Sequence, residues 1–304
     1  MIYGLPVDET LLVFAIASYI VGALVLFGFF VSRVPWMRNA GATLAILGAA
    51  AQFAQLIARY QITHVWPLLN LYGSLSLFSA MSVAIFIGFS FKYRLWFAGA
   101  FVLALAAIFL TYGVTWNEGV MPPVPSLQSY WAKVHVPIIV SSYSAFLVSF
   151  VLSALYLVRY YIERRYGITS APTTIPATEA ASATTGTQGA SGSLAGWLAS
   201  MPSLPQLDVL IYRMVAIGLP LLTLGIITGA MWAKEAWGAY WQFDPKETAA
   251  LFSWIIYASY MHLHTRNSWR GLKTSWVSVI GFASIIFCYL GVNIWISGMH
   301  SYKV

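Results

Sequence analysis

Apolar stretches about 20 residues long recur along almost the whole chain, at approximately 11–32, 40–60, 73–91, 95–115, 134–162, 207–231, 247–265 and 274–298. A helix rising 1.5 Å per residue needs about 20 residues to cross a hydrocarbon core of roughly 30 Å. Lipid offers backbone N–H and C=O groups no partner, so a spanning segment must satisfy them internally. These runs lack the alternating pattern of barrel strands, and each is therefore expected to be a helix. The fold class that follows is an all-α integral membrane protein, with about eight transmembrane helices in one bundle. Only 8% of the 304 residues are charged, against about a quarter in soluble domains. The first run, Leu11 to about Val31, follows Asp8 and Glu9 with no basic residue ahead of it. That is too long and wrongly flanked for a cleaved signal peptide and reads as the first span.

The net charge is +7, but the basic residues are scattered through short inter-helix loops. That dispersal suits orientation in a lipid bilayer and argues against a nucleic-acid surface. Under the eight-span scheme, eleven of the sixteen fall on one side: Arg33, Arg38, Lys92, Arg94, Arg159, Arg164, Arg165, Arg213, Arg266, Arg270 and Lys273. Arg59, Lys133, Lys234, Lys246 and Lys303 fall on the other. The positive-inside rule then places both termini on the outer (periplasmic or lumenal) side.

Three parts are expected. Residues 1–166 hold the first five spans, 167–204 a flexible cytoplasmic linker rich in Thr, Ala, Ser and Gly, and 205–304 the last three spans. Membrane helices usually pack together, so the first and third parts are not read as independent domains. The single cysteine, Cys288, rules out an internal disulfide or a cysteine metal cluster.

Chemistry concentrates between Trp232 and Glu247. This outer loop carries Trp232, Trp237, Tyr240, Trp241 and Phe243 among five charged residues. Lipid-facing sequence has no use for that mixture, and a surface for a large flat ligand does. Asp244, Pro245 and Glu247 also read as a helix start: N-cap, first-turn proline and capping-box partner. His135, opening the fifth helix, and His300, after the last, fall at the same depth as the loop. Two imidazoles flanked by tryptophans suit a haem, which needs axial nitrogen ligands and apolar faces against its macrocycle. Zinc is the rival, without the cysteines or carboxylates it favours. An interfacial histidine and a membrane aromatic belt are the plainer account of the same residues. His264 falls near the opposite face, so any ligand it holds belongs to a second, inner site. His262 is two residues away, on the other side of the same helix. His64 reads as a cap or loop contact.

The segment Trp237-Gly238-Ala239-Tyr240-Trp241-Gln242-Phe243-Asp244-Pro245-Lys246-Glu247 resembles the tryptophan-rich WWD signature of haem-handling proteins, in the form typical of the CcsA/ResC cytochrome c biogenesis family. Segments 127–136, 260–266 and 67–75 agree with it. The resemblance implies a System II cytochrome c maturation protein. With a CcsB/ResB-type partner it would move haem b, as transported substrate, across the membrane and present it for attachment to apocytochrome c, making this chain the haem-presenting subunit of a thioether-forming cytochrome c synthase complex. It also implies that His135 and His300 bind the outer haem iron and that His264 binds an inner one opposite a partner histidine. Trp232, Trp237, Tyr240, Trp241, Phe243 and Asp244 would form the cofactor-binding loop. The acceptor would carry Cys-x-x-Cys-His, thioredoxin-like proteins would keep its thiols reduced, and the site would be a bacterial cytoplasmic membrane or, alternatively, a thylakoid. Phe243 stands where the signature usually has another tryptophan. A CcmC- or CcmF-like System I protein, a cytochrome b-like electron carrier and a transporter of another ligand are the competing readings.

Overall fold

The structure, a computed structural model, describes residues 6–117, 119, 125–167, 196–198 and 201–296. Long helices carry nearly all of them: α1 (Val7–Ser32), α2 (Pro35–Thr63), α3 (Leu71–Tyr93), α4 (Gly99–Val114), α5 (Tyr130–Tyr166), α6 (Leu204–Trp237), α7 (Pro245–His264) and α8 (Leu272–Ile286). A 3-10 turn, Leu95–Ala98, leads into α4, and another, Pro125–Gln128, precedes α5. After α8 the chain passes through a π-helical turn, Phe287–Gly291, into a last turn of helix, Val292–Trp295. Among the described residues there is no strand.

Among the described residues every expected apolar run became helical, and four of the eight helices extend beyond their runs at both ends. Capping and turn chemistry, rather than apolarity, set the ends. Arg33, His64 and Arg94 all take left-handed φ values of 54–59° at helix C-termini, each donating its N–H back to a carbonyl four residues earlier. His64 is thus the cap of α2. Among the described residues seven segments are long and apolar enough to cross a membrane; α7 has 20 residues but is less apolar, with Lys246 and Glu247 at its start and His262 and His264 at its end. The chain is an all-helical membrane protein.

Helices α1 to α4 share one core, built around Tyr19, Leu26, Leu103 and Leu110. Helices α3 and α5 to α8 share a larger one, around Phe78, Phe146, Leu152 and Tyr257. Polar groups are paired within the first: Tyr19 Oη donates to Gln52 Oε1 (2.7 Å), Gln52 Nε2 to the Ser76 carbonyl (2.7 Å), Ser76 Oγ to Gln55 Oε1 (3.1 Å) and Gln55 Nε2 to Tyr72 Oη (3.1 Å). Interhelical hydrogen bonds of this kind hold helices together where lipid competes for apolar contact.

Helices α5 and α6, on either side of the linker, pack along one another. Glycines on α6 make this possible: a Cβ on Gly218 would lie 2.6 Å from Phe146, and one on Gly225 would lie 2.4 Å from Ile139. Small residues that let helix backbones approach closely are the usual device within membranes. Residues 168–195, most of the expected linker, lie outside the described residues.

Candidate functional site

At the end of the bundle away from the α5 C-terminus and the α6 N-terminus, α5, α6, α7 and the π-helical turn contribute to an open-mouthed cavity with about 1180 Å3 of empty space, the mouth included. Its walls are largely apolar, from Val136, Ile139 and Val140 on α5 to Ile226 on α6 and Ala250 on α7. His135, Trp232, Tyr240 and Trp241 line it as well, so four of the sequence-selected residues meet at one place.

His135 lies in the second turn of α5, and its Nδ1 is 2.8 Å from the carbonyl oxygen of Gly225 on α6. A carbonyl can only accept, so Nδ1 carries the proton and the neutral ring has its lone pair on Nε2. Gly229 makes room for the ring: a Cβ there would be 2.9 Å from His135 Cε1. The Trp232 ring lies beside the imidazole, centroids 5.8 Å apart and tilted by 32°. Trp232 is itself oriented by donating Nε1–H to the Ser126 carbonyl at 2.7 Å, and the Trp237 ring packs against it with centroids 5.1 Å apart.

The expected loop 232–247 is shorter in the structure. Helix α6 continues to Trp237 and stops at Gly238, whose φ of 87° continues no right-handed helix. One carboxylate ties two points of the remaining connection. Glu247 Oε2 accepts from the N–H of Gln242 (2.8 Å) and of Asp244 (3.2 Å), while the Asp244 carboxylate accepts from Lys246 N–H at 3.1 Å. The capping box expected from the sequence is therefore formed.

Not every selected residue reaches the cavity. Asp244 is buried and its carboxylate caps α7. Phe243 is 77% exposed with a φ of 55°, its ring edge-on to Trp241 and outside the cavity lining. His300 lies outside the described residues. His264 ends α7, 14 residues beyond the cavity-lining Ala250 and so roughly 21 Å from the cavity along the helix. It is buried, with Nε2 3.0 Å from Asp208 Oδ2 and its ring between those of Tyr212 and Tyr260. The carboxylate can only accept, which puts the proton on Nε2 and leaves Nδ1 as the basic nitrogen of the neutral ring. His262 is exposed.

Other lining residues escaped sequence reasoning: Tyr143 on α5, Cys288 and Tyr289 on the π-helical turn, and Lys246 as a wall residue. Only the π turn hints at them, since such turns cluster at functional sites, and it is not visible in the sequence.

A family model described as "Cytochrome C assembly protein" matches residues 68–300. A cytochrome c biogenesis protein CcsA from Heterosigma akashiwo is 34% identical over 268 residues, covering 82% of this chain and 80% of that one. The chain belongs to the CcsA family. A CcsA from Gloeobacter violaceus is 31% identical over 297 residues (89% and 88% of the two chains), and one from Trieres chinensis is 34% identical over 306 (96% and 95%). Among solved structures, a chain titled cytochrome c heme lyase CcmF superposes with a TM-score of 0.65 at 16% identity, covering 95% of this chain and 47% of that one. The chain thus spans about half of that lyase chain, and the likeness is one of fold. As a CcsA-family member this membrane protein functions in cytochrome c biogenesis.

Proposed function

We propose that the loop-end cavity binds haem as a substrate, with His135 Nε2 as an axial ligand, and presents it for covalent attachment to apocytochrome c. The observation that carries this is the hydrogen bond from His135 Nδ1 to the Gly225 carbonyl (2.8 Å). It selects the tautomer with Nε2 basic and holds the ring still, as ligating histidines require. Apolar walls with Trp232, Tyr240 and Trp241 fit a large flat macrocycle. The cavity end of the bundle faces outward in this reading, and the membrane is a bacterial cytoplasmic one.

The chain's task is positioning. His135 fixes the iron, Trp232 covers the ligand side, and the Glu247-held loop carries Tyr240 and Trp241 against the substrate. Attachment adds a Cys-x-x-Cys-His thiol across a haem vinyl group: a C–S bond forms, the thiol hydrogen passes to the neighbouring carbon, and no net oxidation occurs. Haem iron and acceptor thiols must be reduced beforehand, the thiols by thioredoxin-like proteins. His300 would be the opposing axial ligand. His264 would bind an inner haem with a histidine of a CcsB/ResB-type partner, a role supported by family resemblance. With the Asp208 bond intact only Nδ1 is available to such an iron, and ligation through Nε2 requires that bond to open.

The test is the visible spectrum of the purified protein loaded with haem, alone and with its partner. A His135-dependent Soret band, lost in His135→Ala together with cytochrome c assembly, is expected. A His135→Ala protein with full haem content and full assembly would overturn the assignment.

A further inference from the structure

We propose that Arg213 and Lys92, both held against the ring of Tyr93, bind the phosphate of an anionic phospholipid at the bundle end where α3 finishes and α6 begins. The site is separate from the loop-end cavity and independent of what that cavity holds.

Arg213 stands on an unexpected face of its helix. Val209, Arg213 and Ile217 are exposed on α6 at four-residue spacing and form one stripe, whereas Ile211, Met214 and Val215 are buried. On a membrane helix the exposed stripe meets lipid. Ionisable residues within a span ordinarily face the bundle interior and pair there, because a charge among acyl chains is costly. Arg213 lies nine residues into α6, roughly 14 Å along the helix from Leu204. Its side chain reaches the end of α3, where Cζ lies 4.7 Å from the centroid of the Tyr93 ring. A long basic side chain that runs along apolar surface to bring its charge to the membrane boundary is the expected behaviour at such a position.

Tyr93 gathers a second cation. Lys92 Nζ lies 5.4 Å from the same centroid, and Phe89 packs against the ring with centroids 5.2 Å apart. The face of an aromatic ring attracts a cation but cancels none of its charge. Among the described residues neither Arg213 nor Lys92 forms an ion pair or a side-chain hydrogen bond. The carboxylates described at this end are engaged elsewhere: Glu163 by Arg159 at 2.6 Å, and Asp208 by His264 and the Gly271 N–H, each at 3.0 Å. Five guanidinium and three ammonium hydrogens are therefore left to donate. Helices α3 and α6 each pack on α5, so the two cations converge from separate elements.

Depth decides the ligand. Tyr93 is the last residue of α3, a span of 23 residues, and so lies where hydrocarbon gives way to headgroups. Ile217, one turn further into the span than Arg213, continues the stripe as apolar surface for an acyl chain. A phospholipid has a phosphate at the first level and hydrocarbon at the second, and a guanidinium can grip two phosphate oxygens at once. Two cations against one headgroup favour a lipid of net negative charge over a zwitterionic one, whose own ammonium they repel.

The experiment titrates delipidated protein in a neutral detergent with phosphatidylglycerol and with phosphatidylcholine of the same acyl chains, counting bound lipid by native mass spectrometry. The unmodified protein is expected to bind its first phosphatidylglycerol about tenfold more tightly. Arg213→Gln and Lys92→Gln should each weaken that binding about fivefold, and the double variant should bind the two lipids alike. Arg164→Gln removes the same charge from the exposed last turn of α5 and should leave the affinity unchanged. Equal affinity of the unmodified protein for the two lipids would overturn the proposal. An equal loss in Arg164→Gln and Arg213→Gln would overturn it too, since it would show a diffuse basic surface in place of a site. Excess inorganic phosphate should leave the lipid bound, and complete displacement would assign the cations to a soluble anion and overturn the lipid reading. The comparison of the two lipids on the unmodified protein depends on no variant being able to fold.

Discussion

The imidazole of His135 and the carbonyl of Gly225 meet at 2.8 Å, although 90 residues separate them in the chain. His264, the one buried histidine among the described residues, is held by Asp208 at 3.0 Å. Both acceptors belong to α6, one towards each end. Since Gly225 engages Nδ1 and Asp208 engages Nε2, one helix holds the two rings in opposite tautomers. The histidines at the two ends of the bundle consequently present different nitrogens.

Crowding the His135 ring from α6 should weaken ligand binding without unfolding the helix. In Gly229→Ala the new Cβ would lie 2.9 Å from Cε1 and 3.0 Å from Nδ1 of His135. Alanine is the better helix former, so the protein should accumulate normally. The displaced ring loses much of a hydrogen bond worth about 1 kcal/mol, and haem affinity, read from Soret titration, should fall about fivefold. Unchanged affinity would mean that ring placement does not limit binding.

Removing Asp208 should destabilise the linker end and spare the cavity. Its Oδ2 accepts from His264 and its Oδ1 from the N–H of Gly271 at 3.0 Å. Asp208→Ala leaves two buried donors without that acceptor, at about 1–3 kcal/mol each. Asp208→Asn keeps one acceptor oxygen and should fall between. Thermal unfolding in detergent gives the order, and haemin titration should show the cavity unaffected. Equal stability of all three proteins would contradict the role given to this carboxylate.

The Glu247 carboxylate should govern loop order. It holds the N–H groups of Gln242 and Asp244 at 2.8 and 3.2 Å. In Glu247→Ala both amides should exchange hydrogen with solvent markedly faster, about tenfold for each 1.4 kcal/mol of lost protection. Glu247→Gln, which retains a carbonyl oxygen, should show a smaller effect. Hydrogen exchange followed by mass spectrometry over residues 238–248 makes the measurement, and identical exchange in all three would refute it.

Much of the architecture is written in local sequence. A run of about 20 apolar residues must become a helix in lipid whatever surrounds it, because its backbone has nowhere else to bond. Asp244-Pro245-Lys246-Glu247 starts α7 through contacts within four residues, and the structure forms that capping box. Gly238 likewise ends α6 through its own backbone freedom, which is why helix extends to Trp237, further than apolarity alone suggests.

The site itself is another matter. Composition and aromatic clustering drew His135, Trp232 and Trp241 out of the sequence, but Phe243 and Asp244, equally prominent there, stand outside the cavity lining. Which face of each helix turns inward depends on packing against segments far away in the chain. Lys246 becomes a wall residue only because the π-helical turn, some 40 residues later, brings Asn293 and Tyr289 against it. The tautomers of His135 and His264 depend on α6, placed by glycines that admit α5 closely. Local sequence thus determined the helices, their ends and the membrane setting through short-range hydrogen bonding and apolarity. Only tertiary packing decided which side chains share the cavity and which nitrogen each histidine presents, because those relationships are made between residues that the chain keeps far apart.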